Sequence, residues 1–136
     1  MPRKRKINYI YAVGRRKSAS ARVRLFRGKG ENTVNGRLIG EYFPGSIMKD
    51  KWTKPFKTVE VTDKYYISAK VVGGGLNGQL DAVVGGIAKA LAKEKVDKFR
   101  TPLKKAGLLT RDPRIRERRK AGTGGKARRK KQSPKR

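Results

Sequence analysis

The sequence predicts an α+β domain followed by a basic tail, and three observations lead to this fold class. Segments of alternating polarity, typical of half-buried strands, recur through the first half of the chain. One apolar stripe at steps of three and four predicts a long helix over 78–95. Apolar residues become rare after residue 110, so the end of the chain cannot bury enough surface to fold alone. We therefore expect a globular domain over 1–107 and an extended basic tail over 108–136, disordered when free.

The strand predictions begin at the start of the chain. In INYIYAVG every second residue is a large apolar or aromatic one, which predicts a strand. In ARVRLF the apolar positions 23 and 25 alternate with Arg22 and Arg24, so this strand has arginines on its wet face. ENTVNG predicts a short strand that enters a turn, and RLIGEYF predicts a short helix after it. Two further strands are predicted at KTVEVTD and at YYISAKVV.

The helix predictions lie mainly in the second half of the chain. Asn77 is placed to cap the long helix, where backbone N–H groups lack partners. Gly85 and Gly86 lie inside this helix, where each costs about 1 kcal/mol relative to Ala. We therefore expect another backbone to approach the helix closely at these glycines. It is either a strand on which the helix packs or a backbone from outside the domain. A second helix over 97–106 should end at Gly107, whereas the stretch 44–55 around Trp52 carries no clear signal.

Charge and composition restrict the classes of function. Lys and Arg number 38 and Asp and Glu number 10, which gives a net charge of +28. A polyanion is the usual partner for such a charge: nucleic acid first, an anionic membrane surface second. Without Cys or His the chain can form no disulfide, no thiolate zinc site and no histidine base. No apolar run approaches the ~18 residues of a membrane span, and no signal peptide is recognisable.

The first motif is the segment GRRKSASARVR. Arg15, Arg16 and Lys17 form a cationic cluster in a predicted hairpin loop, beside the hydroxyl of Ser18. Arginine forks hold phosphates by paired hydrogen bonds, and hydroxyl groups add a neutral donor. Because the cluster continues into the arginine face of the next strand, it favours an RNA interface over a merely solvated turn.

The second motif is the segment VVGGGLNGQLDAVVGGIAKAL. A Gly-rich turn before a helix N-terminus is an anion-binding geometry. The candidate RNA contacts there are Gly74, Gly75, Asn77 and Gln79. Tight packing of the helix on the sheet is an equally good explanation of the glycines. No Gly-Lys-Ser/Thr follows, so this is not a phosphate-binding loop of a nucleotide hydrolase, and no cofactor or metal site is predicted.

The third motif is the basic tail. Its cations are interrupted by glycines, a pattern suited to an extended segment that follows a phosphate backbone, although solvated disorder is an equal alternative. The candidate RNA contacts are Arg111, Arg114, Arg118, Arg119, Lys120, Lys126, Arg128, Arg129, Lys130 and Lys131. The ten acidic residues form no catalytic grouping, so the chain is not expected to be an enzyme.

Together these motifs resemble a known family, the bacterial form of the ninth small-subunit ribosomal protein. The resemblance runs from Tyr11 to Arg136 and is carried by GRRKSASARV, NGRLIGEYF, KVVGGGLNGQLDAVVGGIAKAL, LKKAGLLTRDPRIRERRK and GKARRKKQ. It implies a two-layer sandwich, a mostly antiparallel sheet with helices on one side, like the second domain of the S-five ribosomal protein. It also implies a left-handed β-α-β crossover, against the usual right-handed rule.

The resemblance also implies partners. The family binds 16S ribosomal RNA in the head of the cytoplasmic small subunit, beside neighbouring head proteins, and takes no membrane or small-molecule partner. Its tail reaches the P site, where the last residues, by position Lys135 and Arg136, touch the anticodon stem-loop of transfer RNA. Many bacterial relatives carry an aromatic residue just before this end, but this chain has Ser133 and Pro134 there, which removes a stacking contact.

Two other classes of function remain open on the residues alone. One is a basic protein that compacts DNA or acts as an RNA chaperone without a fixed site. The other is a small nucleotide-using enzyme built on the Gly-rich turn. A ribosomal protein sediments with small subunits until high salt releases it, whereas a compacting protein follows the nucleoid and an enzyme stays in the soluble fraction.

Overall fold

The computed structural model describes residues 9–61, 64–111 and 113, and they form an α+β fold, as predicted. The strands are β1 (Tyr9–Arg16), β2 (Ala19–Arg27), β3 (Thr33–Val34), β4 (Arg37–Leu38) and β5 (Tyr65–Val72). The helices are α1 (Ile39–Tyr42), α2 (Ser46–Thr58), α3 (Leu76–Glu94) and α4 (Val96–Lys105).

The five strands form one mixed sheet in the order β1-β2-β5-β3-β4. The pairs β1/β2, β2/β5 and β3/β4 are antiparallel, and β3/β5 is parallel. The prediction of a mostly antiparallel sheet is therefore confirmed. The parallel pair is joined through β4, α1 and α2, so the expected β-α-β unit is present, and its left hand stays a prediction.

The core lies between one face of the sheet and α3. Strand alternation buries Val23 and Leu25 of β2 and Ile67 of β5, which meet the apolar stripe of α3, including Leu80 and Ile87. Each such side chain contributes about 1.5–3 kcal/mol on burial. Helices α2 and α4 pack against α3. The residues on the opposite face of β1, β2 and β5 are exposed or half-buried, which agrees with helices on one side.

Strand β1 is confirmed, but its large alternating residues lie away from the core. The positions that face α3 are Ile10, Ala12 and Gly14, of which Ala12 and Gly14 are buried. A Cβ on Gly14 would overlap the carbonyl oxygen of Ala82 in α3. Small residues are therefore needed on the inner face, and the larger side chains of this strand occupy the outer one.

The predicted strand KTVEVTD was wrong. Its first residues end helix α2, which covers most of the stretch that the sequence left unassigned, and Val59 follows the helix as its C-cap. Thr53 and Thr58 donate hydrogen bonds of 2.7 Å to the carbonyl oxygens of Lys49 and Lys54, so their hydroxyl groups are satisfied within a helix. Burial of Trp52 and Phe56, one helical turn apart, outweighs the β propensity of the segment.

The predicted cap of the long helix was also wrong. Helix α3 begins at Leu76 with Gly75 as its N-cap, and no side chain caps it. Asn77 is thus the second residue of the helix. The chain turns before it at Gly73 and Gly74, whose φ angles are +77° and +65°. The stop of the last helix is confirmed, since α4 ends at Lys105 and is followed by Gly107 with φ of +74°.

Candidate nucleic-acid interface

The GRRKS motif forms a two-residue hairpin between β1 and β2. Arg15 pairs with Ser20 and Arg16 with Ala19, so the two arginines end strand β1 and only Lys17 and Ser18 form the turn. Lys17 and Ser18 are exposed. The Nε atom of Arg16 lies 3.6 Å from Oδ2 of Asp81 on α3, an ion pair that fixes the arginine beside the helix.

The Gly-rich turn packs directly on this hairpin. A Cβ on Gly73 would overlap the carbonyl oxygen of Ser18, and one on Gly74 would lie 3.1 Å from Cβ of Ala19. Close packing therefore explains these two glycines, whereas Gly75 faces open space. The packing brings the N-terminus of α3 next to the cationic hairpin, so two motifs that are distant in sequence form one surface.

Gln79 holds this turn in place, a role that the sequence analysis missed. Its Nε2 donates to the carbonyl oxygen of Gly73 at 3.0 Å, and its Oε1 accepts a 2.7 Å hydrogen bond from the Tyr42 hydroxyl. No local pattern links Tyr42 with Gln79, because α1 and α3 meet only in the folded chain. The predicted RNA contacts of Gln79 and of the exposed Asn77 stay predictions.

All three motifs meet at one cavity of about 290 Å³. Its walls are the end of β1, the outer side of α3 and the chain after α4, and its cations are Arg15, Arg16, Lys89 and Arg111. The chain turns after α4, where the N–H of Leu108 donates to the carbonyl oxygen of Leu103 at 3.1 Å. Leu108 and Leu109 are half-buried against the core. The tail therefore starts beside the hairpin.

The adjacent glycines Gly85 and Gly86 in the middle of α3 have different surroundings. A Cβ on Gly86 would lie 2.5 Å from Cγ2 of Val23 and 3.3 Å from the backbone nitrogen of Gly14, so a strand beneath explains this glycine. A Cβ on Gly85 would meet nothing within 4 Å, and Gly85 lines the cavity. The helix surface is consequently flat where another backbone could approach from outside.

The charges around the cavity suit a phosphate group. Asp81 is the acidic residue of its lining, and it pairs with Arg16. Lys89 donates through Nζ to the carbonyl oxygen of Val13 at 3.3 Å. This hydrogen bond satisfies a backbone group of β1, which is an edge strand of the sheet. Arg15 and Arg111 are exposed. Several cations around a small opening can together hold one phosphate by charge-assisted hydrogen bonds.

The predicted arginine face of β2 is confirmed as a solvent-facing surface. Arg22 and Arg24 are exposed on the side of the sheet that lies away from α3. Lys70 of β5 is exposed opposite Arg22 and was not among the predicted site residues, although the alternation in YYISAKVV could have revealed it. The guanidinium carbon of Arg24 lies 5.0 Å from the centroid of the Tyr9 ring, a cation–π contact.

The remaining predicted contacts of the tail lie outside the described residues. They are Arg114, Arg118, Arg119, Lys120, Lys126, Arg128, Arg129, Lys130, Lys131, Lys135 and Arg136. In the part of the chain that the structure describes, no group of three or more acidic, His or Cys side chains could hold a metal ion. Among those same residues, no helix is long and apolar enough to span a membrane.

The chain is similar to known proteins over most of its length. The family model described as ribosomal protein S9/S16 matches residues 14–136. The small ribosomal subunit protein uS9 of Renibacterium salmoninarum is 47% identical over 111 residues, which covers 82% of this chain and 66% of that protein. The uS9 proteins of Leifsonia xyli subsp. xyli and Paenarthrobacter aurescens are 49% and 46% identical with the same coverage. The chain thus spans just under two thirds of the length of these relatives.

Proposed function

Since the chain belongs to the ribosomal protein S9/S16 family, we propose that it is a structural constituent of the small ribosomal subunit. In this role it binds 16S ribosomal RNA in the head of the subunit and catalyses no reaction. The observation that carries the proposal is the meeting of the hairpin, α3 and the start of the tail at one cationic cavity.

The cavity supports RNA binding for an electrostatic reason. Three separate segments contribute Arg15, Lys89 and Arg111 to one small opening, where like charges repel each other in the free protein. An RNA phosphate in the opening removes this repulsion and releases counterions to the solvent. The close packing of α3 on β1 fixes the backbone that carries Arg15 relative to Lys89, whose Nζ donates to the Val13 carbonyl oxygen, so these two cations start near each other before RNA binds.

The hairpin can be tested by its effect on the salt dependence of binding. Replacing Arg15, Arg16 and Lys17 by Ala should flatten the log–log slope of affinity against salt by about 0.7–0.9 for each phosphate that the variant no longer neutralises. A matched control replaces three exposed lysines of α2, at positions 49, 51 and 54, and changes the net charge equally. Equal slopes for the two triple variants would show that the hairpin is only a solvated turn.

The ribosomal assignment itself is tested by crosslinking followed by RNA sequencing. Small subunits that contain the full chain should yield crosslinks to a few fixed positions of 16S RNA, and the protein should leave them only at high salt. Crosslinks spread without preference over RNA and DNA would instead indicate a nonspecific compacting protein and contradict the proposal.

The finer part of the proposal concerns transfer RNA. By its position in the family, the end of the tail contacts the anticodon stem-loop of P-site transfer RNA through Lys135 and Arg136. Such phosphate contacts hold a ligand without reading its sequence. Each charge-assisted contact is worth about 1.5–3 kcal/mol before solvent screening, so removing them should speed dissociation of any transfer RNA.

A truncated chain ending at Pro134 tests this contact. Subunits should still assemble with it, because the domain and the earlier part of the tail keep their cations. The dissociation rate of P-site transfer RNA is then measured at fixed magnesium and salt for several transfer RNAs. Unchanged rates for all of them would remove the assigned role of the last two residues.

A further inference from the structure

The sheet has a second cationic surface, on the side opposite α3, and it shares Arg15 with the rim of the cavity. We call it the open sheet face, and its residues are Tyr9, Tyr11, Val13, Arg15, Ser20, Arg22, Arg24, Phe26, Tyr66, Ser68, Lys70 and Val72. None of these residues is buried, and none is acidic. The described helix that packs most closely on the sheet, α3, covers the other side.

Two cations oppose each other at the centre of this face. Arg22 of β2 and Lys70 of β5 are directly paired in the antiparallel register, and the neighbour of Arg22 on β1 is the uncharged Val13. Directly opposite side chains have their Cβ atoms about 4.5–5.5 Å apart, and like charges in this position destabilise a sheet. Because no acidic residue of the open sheet face compensates them, one external anion between the pair would contact both cations and relieve their repulsion.

The aromatic side chains of the face are not all available to a ligand. Phe26 and Tyr66 stack on each other with centroids 5.0 Å apart and an interplanar angle of 11°. A Cβ on Gly30 would lie 2.7 Å from atoms of the Tyr66 ring, so backbone covers that ring. Arg24 lies over Tyr9. Tyr11, by contrast, is 43% exposed.

Tyr11 lies close to the paired cations. It is in register with Arg24, one cross-strand row from the row of Val13, Arg22 and Lys70. Same-face rows are two residues apart along a strand, which is about 7 Å. A nucleotide whose phosphate sits between Arg22 and Lys70 can therefore bring a neighbouring base over the Tyr11 ring.

We propose that the open sheet face binds a single-stranded segment of RNA, with one phosphate between Arg22 and Lys70 and one unpaired base stacked on Tyr11. The inference rests on the proposed function and adds a second RNA contact, on the opposite side of the sheet from α3. Single-stranded RNA is favoured because only an unpaired base has a free ring face for an aromatic side chain. The lack of acidic residues favours RNA over a basic protein partner.

The phosphate contact is tested with the full chain and a single-stranded oligonucleotide, beside a duplex of equal length. The variants are Arg22→Ser, Lys70→Ser and the double variant, and the control is Lys51→Ser/Lys54→Ser on α2, where both lysines are exposed. If Arg22 and Lys70 share one phosphate, the double variant should lower the slope of log affinity against log salt concentration for the single strand by about 0.7. A decrease of about 1.4 would mean that the two cations bind separate phosphates, which contradicts the shared contact. A double variant that behaves like the control overturns the proposal.

The stacking contact is tested separately at Tyr11. Tyr11→Ser should weaken single-strand binding roughly five- to 150-fold, the usual effect of removing one base stack, and leave duplex binding unchanged. Tyr11→Phe keeps the ring and should bind like the unchanged chain. Equal weakening for single strand and duplex, or equal weakening by the Ser and Phe variants, would contradict stacking. Far-UV circular dichroism confirms that these surface variants remain folded.

Assembled subunits decide between RNA and protein as the occupant. A photoreactive phenylalanine analogue at position 11 should crosslink to RNA, whereas a crosslink to a neighbouring subunit protein would overturn the proposal. This experiment can contradict RNA binding by the open sheet face without contradicting the proposed ribosomal function. A chain that still sediments with small subunits, but whose open sheet face crosslinks to no RNA, refutes only the present inference.

Discussion

The contact of α3 with the sheet should depend on one glycine of the helix and not on its neighbour. Gly86→Ala places a Cβ 2.5 Å from Cγ2 of Val23, which is fully buried and stiff because it is β-branched. Such overpacking costs about 1–3 kcal/mol, while the better helix propensity of Ala contributes about 1 kcal/mol. Gly85→Ala gains the same propensity without a contact, since its Cβ faces open space.

The comparison of the two variants isolates the packing cost, because the propensity gain cancels. We expect Gly85→Ala to raise the free energy of unfolding by up to about 1 kcal/mol, and Gly86→Ala to lie about 1–3 kcal/mol below it. The measurement is urea unfolding of the RNA-free chain followed by far-UV circular dichroism, with the m values compared. Equal free energies of unfolding for the two variants would refute the close approach of α3 to β1 and β2.

Two further predictions concern polar groups. Asn35→Ala should lower the free energy of unfolding by about 1–3 kcal/mol, because Oδ1 accepts from the Val71 N–H at 2.8 Å and Nδ2 donates to its carbonyl oxygen at 3.1 Å. The matched Asn77→Ala should change it by less than about 0.5 kcal/mol, and a decrease of about 1 kcal/mol would mean that Asn77 is a cap after all. Burial, and then the nearby Glu94 carboxylate, raises the pKa of Tyr65 above its ordinary 10.0. The folded state thus favours the neutral phenol. This stabilisation of the folded state is fully present below about pH 10, and it is lost as the pH rises through the higher pKa that Tyr65 has in the folded chain. Tyr65→Phe should accordingly show a shallower decline of melting temperature above about pH 10 than the Tyr66→Phe control, and parallel declines would contradict this.

Local sequence patterns correctly predicted the strands in which one face is apolar and the other is polar. Strands β2 and β5 alternate sharply between apolar and polar residues, so both their existence and their buried faces followed from the sequence. Strand β1 was found, but its outer face holds the larger side chains and its inner face holds Ala12 and Gly14. Size, and not polarity, decides which face of that strand can meet α3.

Other features depend on contacts between distant parts of the chain. Helix α2 contains Pro55 and β-branched threonines, so its local preference opposes the structure that burial of Trp52 and Phe56 imposes. The cavity could not be predicted as a place, because it forms only when the chain after α4 returns to α3. Its cations were nevertheless mostly among the predicted residues, and only Lys89 was missed. Local composition thus predicted most of the cations that belong to the site, whereas it could not predict that they meet at one cavity.

The close packing of α3 on β1 connects the core with the candidate interface. Gly14, which lies against Gly86 and Ala82, is followed at once by Arg15 and Arg16. Any separation of helix and strand would therefore shift the hairpin cations relative to Lys89, whose ammonium group is tied to the Val13 carbonyl oxygen. A highly charged chain has few means of holding like charges together before its partner binds. Here glycine contacts in the apolar core hold the backbone of the hairpin beside Lys89, and the repulsion that remains would favour the proposed binding of RNA.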